Sequence, residues 1–136
     1  MTEKVERAMF DYFGLEGQTA IVTGSGNGIG RATAIMLADL GANVMVCDIE
    51  TDSAKKVEEE ILGRGGKAVS NRCDVTKLEE IKETIRKTVE AFGTVDILVN
   101  NAAGFGGSSG SRKPDGREHT GSGEDLYAGG SGCPDR

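Results

Sequence analysis

The sequence predicts an α/β fold: a partial doubly wound arrangement in which a parallel sheet of four strands is covered by three helices. From residue 18 to residue 101, short apolar segments alternate with segments whose apolar residues recur every three or four positions. Several of the breaks between these segments contain glycine. Because a strand, a helix and a second strand join by a right-handed crossover, these strands are expected to run parallel in one sheet.

The four predicted strands are short. Three of them have the nearly continuous apolar character of parallel strands that are covered on both faces, and the third along the chain is more polar. They span residues 19–23, 43–49, 67–73 and 95–100.

Three helices are predicted between the strands, each from one apolar stripe. Each stripe is followed by glycine, which commonly ends a helix in the left-handed conformation. The stripes consist of Ile29, Thr33, Met36 and Leu40; of Ala54, Val57 and Ile61; and of Leu78, Ile81, Ile85, Val89 and Phe92.

Residues 1–16 form an amino-terminal extension of this unit. Val5, Met9, Tyr12 and Phe13 can share one face of a short helix. Packing of this face on the protein's own sheet is favoured, since apolar stripes are usually buried. A lid or an oligomer contact is the alternative.

Residues 105–136 differ in composition from everything before them. They are rich in glycine and serine, and Phe105, Leu126 and Tyr127 are their only large apolar side chains. Such a segment cannot bury enough surface to offset an ordering entropy of about 1–2 kcal/mol per residue. We therefore expect a disordered tail.

The overall composition excludes several classes of partner. The net charge of -6 leaves no basic surface for nucleic acid or for an anionic membrane. No apolar run reaches the roughly 20 residues of a membrane span, and Met1 is followed by polar residues instead of an apolar signal core. A cytoplasmic location is therefore expected.

The three cysteines suggest neither a disulfide framework nor a metal site. Cys47, Cys73 and Cys133 are odd in number, far apart and without a histidine cluster. Cys47 and Cys73 are expected to be small core residues.

Residues 23–30 read TGSGNGIG, directly after a predicted strand and directly before a predicted helix. This is the context that a glycine-rich nucleotide loop requires. Gly24 would permit a tight turn, Gly28 would leave room for a diphosphate, and Gly30 would let the helix pack closely. The diphosphate would then meet the positive end of the helix. The alternative is that these glycines only shape a turn.

Asp48 closes the second predicted strand, about where an acidic residue accepts hydrogen bonds from the adenosine ribose. A 2′-phosphate would be repelled there, and the nearby Ser25 and Ile49 supply no cation to hold it. NAD is therefore favoured over NADP. Arg31 would weaken this discrimination if its side chain pointed toward the ribose, and a merely solvated aspartate is the alternative interpretation of Asp48.

Taken together, TGSGNGIG, Asp48, the sequence CDV at 73–75 and VDILVNNAAG at 95–104 resemble the amino-terminal, cofactor-binding half of a short-chain dehydrogenase/reductase. The resemblance covers about residues 17–104 and implies a Rossmann-type fold. It also implies that Asp74 would bind the adenine amino group and that Val75 would line the adenine pocket.

The family's NNAG motif appears here as Asn100, Asn101, Ala102 and Ala103, with glycine delayed to Gly104. The resemblance implies that Asn100 would tie its strand to a neighbour and that the small residues would admit the nicotinamide ribose. The expected cofactor-binding residues are Thr23, Gly24, Ser25, Asn27, Gly28, Ile29, Gly30, Asp48, Ile49, Asp74, Val75, Asn100, Ala102, Ala103 and Gly104.

No catalytic residue is assigned. The family uses a serine, a tyrosine and a lysine four residues after the tyrosine, whereas Tyr127 is followed at that distance by Ser131. The sole histidine, His119, lies in the same unpatterned segment. We expect a truncation, a frameshift or an alternative ending shortly after Gly104, with a naturally selected flexible tail as the rival explanation.

Three functions are compatible with this pattern. The first is an NAD-dependent dehydrogenase or reductase whose full-length form acts on a small alcohol or ketone. The second is a nucleotide-binding or interaction module without catalysis, and the third is a fragment without function. The apolar fourth strand would lie at an edge, so aggregation or homo-oligomer formation is also expected.

Overall fold

The computed structural model of the chain describes residues 3–103. Its four strands form one parallel sheet in the order β3-β2-β1-β4, so the predicted α/β fold is confirmed. The elements along the chain are α1 (Glu3–Phe13), β1 (Thr19–Thr23), α2 (Gly28–Asp39), β2 (Asn43–Asp48), α3 (Thr51–Gly63), β3 (Lys67–Arg72), α4 (Leu78–Phe92) and β4 (Ile97–Val99).

Strand β4 is shorter than the predicted 95–100. It pairs with β1 only from Ile97 to Val99. Beyond Val99 the backbone N–H groups of Asn101 and Ala102 donate to Oγ1 of Thr23, at 3.0 Å each, instead of continuing the ladder. The strand therefore ends where a side chain of β1 replaces the backbone acceptors.

One face of the sheet is covered by α2 and α3. Their small and branched residues, including Ala34, Ala38 and Val57, pack on Val44 and Val46 of β2 in a buried cluster. Alanine on α2 lets this helix approach the sheet closely. This side of the domain is closed over β1, β2 and β3.

The opposite face is covered by α4. Its Ile81 packs with Ile21, Met45 and Cys47, and Thr84 and Thr88 are buried with their hydroxyl groups bonded to carbonyls one turn earlier. Cys47 and Cys73 are free and buried, as predicted. Burial raises the pKa of the Cys47 thiol to about 12, with the nearby Cys73 and Asp48 adding to the effect.

Helix α1 does not bury the apolar face expected of it. Tyr12 is 84% exposed and Phe13 is 63% exposed, so the expected packing on the sheet is wrong for these two residues. The side chains of Val5 and Met9 lie outside the described part of the chain. So do Gly104, an expected cofactor-binding residue, and residues 105–136, for which a disordered tail was expected. Within residues 3–103, no helix is long and apolar enough to cross a membrane.

Candidate functional site

The candidate site lies where the carboxyl ends of β1 and β2 meet the amino end of α2. The chain leaves β1 through Gly24, whose φ of 64° is in the left-handed region. A Cβ atom at Gly24 would lie 2.8 Å from the Cα atom of Ala102. Only glycine therefore allows the loop to contact the segment that follows β4.

Gly30 brings α2 against the same loop. A Cβ atom on Gly30 would collide with the carbonyl oxygen of Gly24 and with Nδ2 of Asn101. Gly28, by contrast, has no other group within 4 Å of such an atom. The sequence interpretation of these positions agrees with this geometry, because Gly30 serves close packing and Gly28 faces open space.

The amino end of α2 is suited to an anion. Asn27 occupies the N-cap position, but its side chain makes no capping hydrogen bond. The N–H groups of the first helical turn have no acceptor within the helix, and the positive end of the helix dipole lies there. Asn27, Gly28 and Ile29 are all exposed at this end. This geometry can bind a phosphate or diphosphate group.

The carboxylate of Asp48 is held rigidly at the end of β2. Its Oδ2 atom accepts a hydrogen bond from the N–H of Gly26 at 2.9 Å, and its Oδ1 atom accepts one from the N–H of Glu50 at 3.0 Å. Asp48 is only 9% exposed. Each carboxylate oxygen can accept a second bond, so the group remains able to bind hydroxyl groups.

The role of Gly26 was missed in the sequence. A Cβ atom there would lie 2.7 Å from Cβ of Ser53 and 2.9 Å from Oδ2 of Asp48. Glycine at this position therefore lets the loop donate directly to the carboxylate. Its presence between two recognised glycines was the available signal.

The side chain of Ser25 is not available to a ligand. Its hydroxyl donates to the carbonyl of Val22 at 2.7 Å and accepts from the N–H of Cys47 at 3.0 Å, and the residue is fully buried. It bridges β1 and β2 just where the two strands part. Any contact of Ser25 with a cofactor would therefore be through its backbone.

Arg31 is engaged away from Asp48. Its guanidinium forms an ion pair with Glu60 of α3, with Nη2 and Oε1 2.6 Å apart. The alternative in which Arg31 points toward a ribose is therefore not adopted. Ser25 and Ile49, the residues considered beside Asp48, carry no positive charge.

Asp74 follows β3 and organises a turn before α4. Its Oδ1 atom accepts from the hydroxyl and the N–H of Thr76, at 2.6 Å and 3.0 Å, and its own N–H donates to Glu80. The hydroxyl of Thr76, followed by its N–H, holds the pKa of Asp74 below its ordinary value. Both bonds use the same oxygen, so the other remains for a ligand. Val75 is 40% exposed beside it.

Asn101, not Asn100, ties β4 to its neighbour. The Nδ2 group of Asn101 donates to the carbonyls of Thr23 and Gly24, at 3.1 Å and 3.0 Å. Asn100 is exposed. The expected role of Asn100 is therefore wrong, because the chain turns after Val99 and places the second asparagine against the glycine loop.

The chain matches the model of the short chain dehydrogenase family over residues 18–118, a region that extends past Gly104. It is 46% identical to the 7α-hydroxysteroid dehydrogenase of Escherichia coli (strain K12) over 96 residues. These 96 residues make up 71% of this chain and 38% of that protein. It is 37% identical over 102 residues to the cyclohexanol dehydrogenase of Acinetobacter sp. (strain SE19), covering 75% of this chain and 40% of that protein.

Solved structures give the same relationship. The crystal structure of the hydroxysteroid dehydrogenase from Escherichia coli matches with a TM-score of 0.69 and 44% identity, over 77% of this chain and 44% of that chain. A structure of 7α-hydroxysteroid dehydrogenase with NADH and 7-oxo glycochenodeoxycholic acid matches with a TM-score of 0.67 and 44% identity, over 75% of this chain and 40% of that chain. The chain thus spans less than half the length of these relatives.

Proposed function

Because the chain belongs to the short-chain dehydrogenase family, we propose that it forms the NAD-binding part of a cytoplasmic oxidoreductase acting on a small alcohol or ketone. One observation supports this most strongly. The open position at Gly28, at the uncapped amino end of α2, lies in the same loop as Gly26, whose N–H is bonded to the Asp48 carboxylate. A diphosphate and an adenosine ribose could therefore both be bound at this loop.

Each part of the cofactor has a matching group in the chain. The N–H groups at the start of α2 would hold the diphosphate, and Asp48 would accept hydrogen bonds from the adenosine ribose. Asp74 and Val75 would contact the adenine, and the backbone of Asn100, Ala102 and Ala103 would lie beside the nicotinamide ribose, with Gly104 continuing this segment. When bound, NAD takes up a hydride from the alcohol carbon. The described residues bind and orient the cofactor.

The preference for NAD over NADP follows from the fixed orientation of Asp48. Its carboxylate cannot rotate away without losing the bonds from Gly26 and Glu50, so a 2′-phosphate would meet a negative charge. Arg31 is paired with Glu60, and Arg72, which is in register with Asp48 on β3, is paired with Glu80. We expect NAD to bind at least about tenfold more tightly than NADP, a difference of about 1.4 kcal/mol.

Isothermal titration calorimetry of the purified 136-residue chain with NAD and with NADP tests this proposal. Asp48→Ala should narrow the preference without abolishing binding. Asp52→Ala removes a carboxylate from the first turn of α3 and is the matched control, since Asp52 is exposed. Equal affinities of the unmodified chain for the two cofactors would contradict the assignment.

A second candidate function is a nucleotide-binding module without catalysis. It is favoured by the sequence after the described residues, where Tyr127 is followed four positions later by Ser131 and not by lysine. We expect the chain alone to bind the cofactor but not to turn over any alcohol or ketone, because a proton-transferring group is missing. Turnover that is lost in Tyr127→Phe would reject this candidate.

A further inference from the structure

Residues 73–77, which we call the β3–α4 turn, contain the proposed adenine contact Asp74. The first residue of the turn is attached to β2, because the N–H of Cys73 donates to the carbonyl of Asp48 at 3.0 Å. The last residue closes the turn, since the N–H of Lys77 donates to the carbonyl of Asp74 at 3.0 Å. The backbone path through this turn therefore determines where the carboxylate of Asp74 can lie.

Glu80, in the first turn of α4, reaches back into the β3–α4 turn. Its Oε2 atom accepts a hydrogen bond from the N–H of Asp74 at 2.7 Å and another from Nη1 of Arg72 at 2.8 Å. Its other oxygen, Oε1, lies 3.6 Å from Nζ of Lys77. One carboxylate thus joins the end of β3, the turn and the helix.

The surroundings of Glu80 stabilise its charge. The N–H of Asp74 is the largest cause that holds the pKa of Glu80 below its ordinary value; partial loss of water contact opposes it, and the guanidinium of Arg72 adds to it. The side chain of Glu80 is 26% exposed, against 84% for Glu79 in the same helical turn. Glu79 bonds instead with Lys82. Of these two acidic residues, Glu80 is therefore the one directed into the β3–α4 turn.

The contacts of Asp74 fix its backbone and one of its carboxylate oxygens. Its N–H is held by Glu80, and its Oδ1 atom accepts both the hydroxyl and the N–H of Thr76. With these groups held, the direction of Oδ2 is set as well. A carboxylate that is oriented before binding loses less entropy when it accepts a hydrogen bond from a ligand.

We propose that Glu80 is a positioning residue for adenine recognition. Its bond from the N–H of Asp74 fixes the β3–α4 turn in the conformation in which Oδ2 of Asp74 accepts from the adenine amino group. Glu80 does not itself contact the cofactor. This role rests on the proposed NAD site and adds to it the residue on which discrimination of the base depends.

A carboxylate in the first turn of a helix also interacts favourably with the helix dipole, whatever else it bonds. Such a role would need the negative charge of Glu80 but not its reach to Asp74. The positioning role needs the reach and an acceptor oxygen. Glu80→Asp keeps the charge but is one methylene shorter. Glu80→Gln loses the charge but keeps the length and an acceptor oxygen, so the two substitutions separate the two roles.

Binding of two dinucleotides to the purified 136-residue chain provides the test. NAD is compared with nicotinamide hypoxanthine dinucleotide, which carries a carbonyl oxygen in place of the adenine amino group. That oxygen cannot donate to Asp74, so we expect the unmodified chain to bind NAD about tenfold more tightly. Both dinucleotides contain the same riboses and diphosphate, so changes elsewhere in the site cancel in the ratio of the two dissociation constants.

Glu80→Asp should lower this ratio to less than about threefold, whereas Glu80→Gln should keep most of it. Glu79→Asp and Glu79→Gln are the matched controls and should leave the ratio unchanged, because Glu79 lies in the same turn of α4. In an Asp74→Ala background the discrimination should already be lost, and Glu80→Asp should change it no further. Circular dichroism checks that each variant is folded.

An equal loss of affinity for both dinucleotides in Glu80→Asp, with their ratio unchanged, would overturn the positioning role, because it would indicate a purely structural effect. A ratio that falls in Glu80→Gln but not in Glu80→Asp would also overturn it, since the charge would then matter and not the reach. Equal binding of both dinucleotides by the unmodified chain would do the same. These three results would leave the proposed NAD site standing. Binding of neither dinucleotide by the folded, unmodified chain would reject that site and the role of Glu80 with it.

Discussion

The two sides of the sheet differ in how completely this chain covers them. On the side of α2 and α3, ten of the described residues form the buried cluster, with Val44, Val57 and Ile61 at most 1% exposed, whereas the buried cluster beneath α4 has four. On the side of α4, Leu98, Ile85 and Val89 are 44% to 58% exposed. The candidate site at residues 23–30 and Asp48 thus lies beside the larger cluster, whereas the side of α4 includes the last elements that the structure describes.

This difference separates two properties that are usually coupled in a dehydrogenase domain. The proposed nucleotide site consists of the loop after β1, the end of β2 and the start of α2, all of which lie within the described residues. Completion of the sheet needs a strand beside β4 and a helix beside α4. We therefore expect substitutions on the two sides of the sheet to lower the free energy of unfolding by different amounts.

The largest expected contrast compares one isoleucine from each side. Ile61→Ala should lower the free energy of unfolding by about 2–5 kcal/mol, because Ile61 is fully buried and truncation leaves a cavity. Ile85→Ala should lower it by less than about 1 kcal/mol, since Ile85 is 45% exposed and loses little burial. Urea denaturation followed by circular dichroism measures both. Equal effects would mean that the α4 side is as closed as the other.

A substitution in the cofactor loop should come next in size. Gly30→Ala places a methyl group against the Gly24 carbonyl and the Asn101 amide, neither of which can move freely. We expect a loss of about 3 kcal/mol and weakened NADH binding. Gly63→Ala is the control, because no group lies within 4 Å of the added atom, and it should be neutral or stabilising. Equal melting temperatures of Gly30→Ala and Gly63→Ala would refute the close packing at Gly30.

The tie between β1 and the end of β4 gives a smaller expected effect. Thr23→Val removes the oxygen that accepts from the N–H groups of Asn101 and Ala102, at a cost of about 2 kcal/mol. Thr33→Val removes a hydroxyl that only donates to a carbonyl one turn earlier in α2 and should cost little. Hydrogen exchange at the amides of Asn101 and Ala102 reports the effect directly. Unchanged exchange in Thr23→Val would exclude the tie.

The smallest expected effect is a pH dependence from Cys47. Its pKa is raised from 9.0 to about 12 in the folded chain, so the folded state retains the proton while the unfolded state loses it. The stabilisation is complete below pH 9 and is lost as pH rises toward 12. Between pH 9 and pH 10 the decrease should be about 1 kcal/mol. Denaturant melts at the two pH values compare the unmodified chain with Cys47→Ala. An equal decrease in the free energy of unfolding of both proteins would contradict this prediction.

Most of the closed side could be predicted from the sequence. The apolar spacing in α3 and the glycine pattern at 24, 28 and 30 are local signals that the packing preserves. The predicted stripe of α2 is wrong, because Ile29 and Met36 are 80% and 65% exposed, and the buried residues of this helix are Gly30, Ala34 and Ala38. The side chains of Ser25 and Asn101 could not be placed in this way. Their bonds depend on where β1 parts from β2 and where β4 stops pairing, which are tertiary features.

The apolar pattern of the sequence also failed to predict the length of β4 and the packing of α1. Apolar residues at 95–100 predicted a longer strand, but pairing ends where Thr23 takes over the amides of Asn101 and Ala102. The stripe in α1 predicted burial, yet Tyr12 and Phe13 are exposed, because periodicity indicates an apolar face without identifying what covers it. The same holds for α4, whose buried residues are Thr84 and Thr88, whereas Leu78, Ile85 and Val89 of the predicted stripe are exposed.

Hydrogen exchange of the purified chain with and without NADH tests most directly whether the closed side and its cofactor edge form a complete unit. Without NADH, the amides of β1 and β2 should be strongly protected and those of β4 weakly protected. Addition of NADH should slow exchange at residues 24–30 and around Asp48 while leaving β4 little changed. Uniform protection of all four strands, or no response of the glycine loop to NADH in a folded chain, would contradict this view.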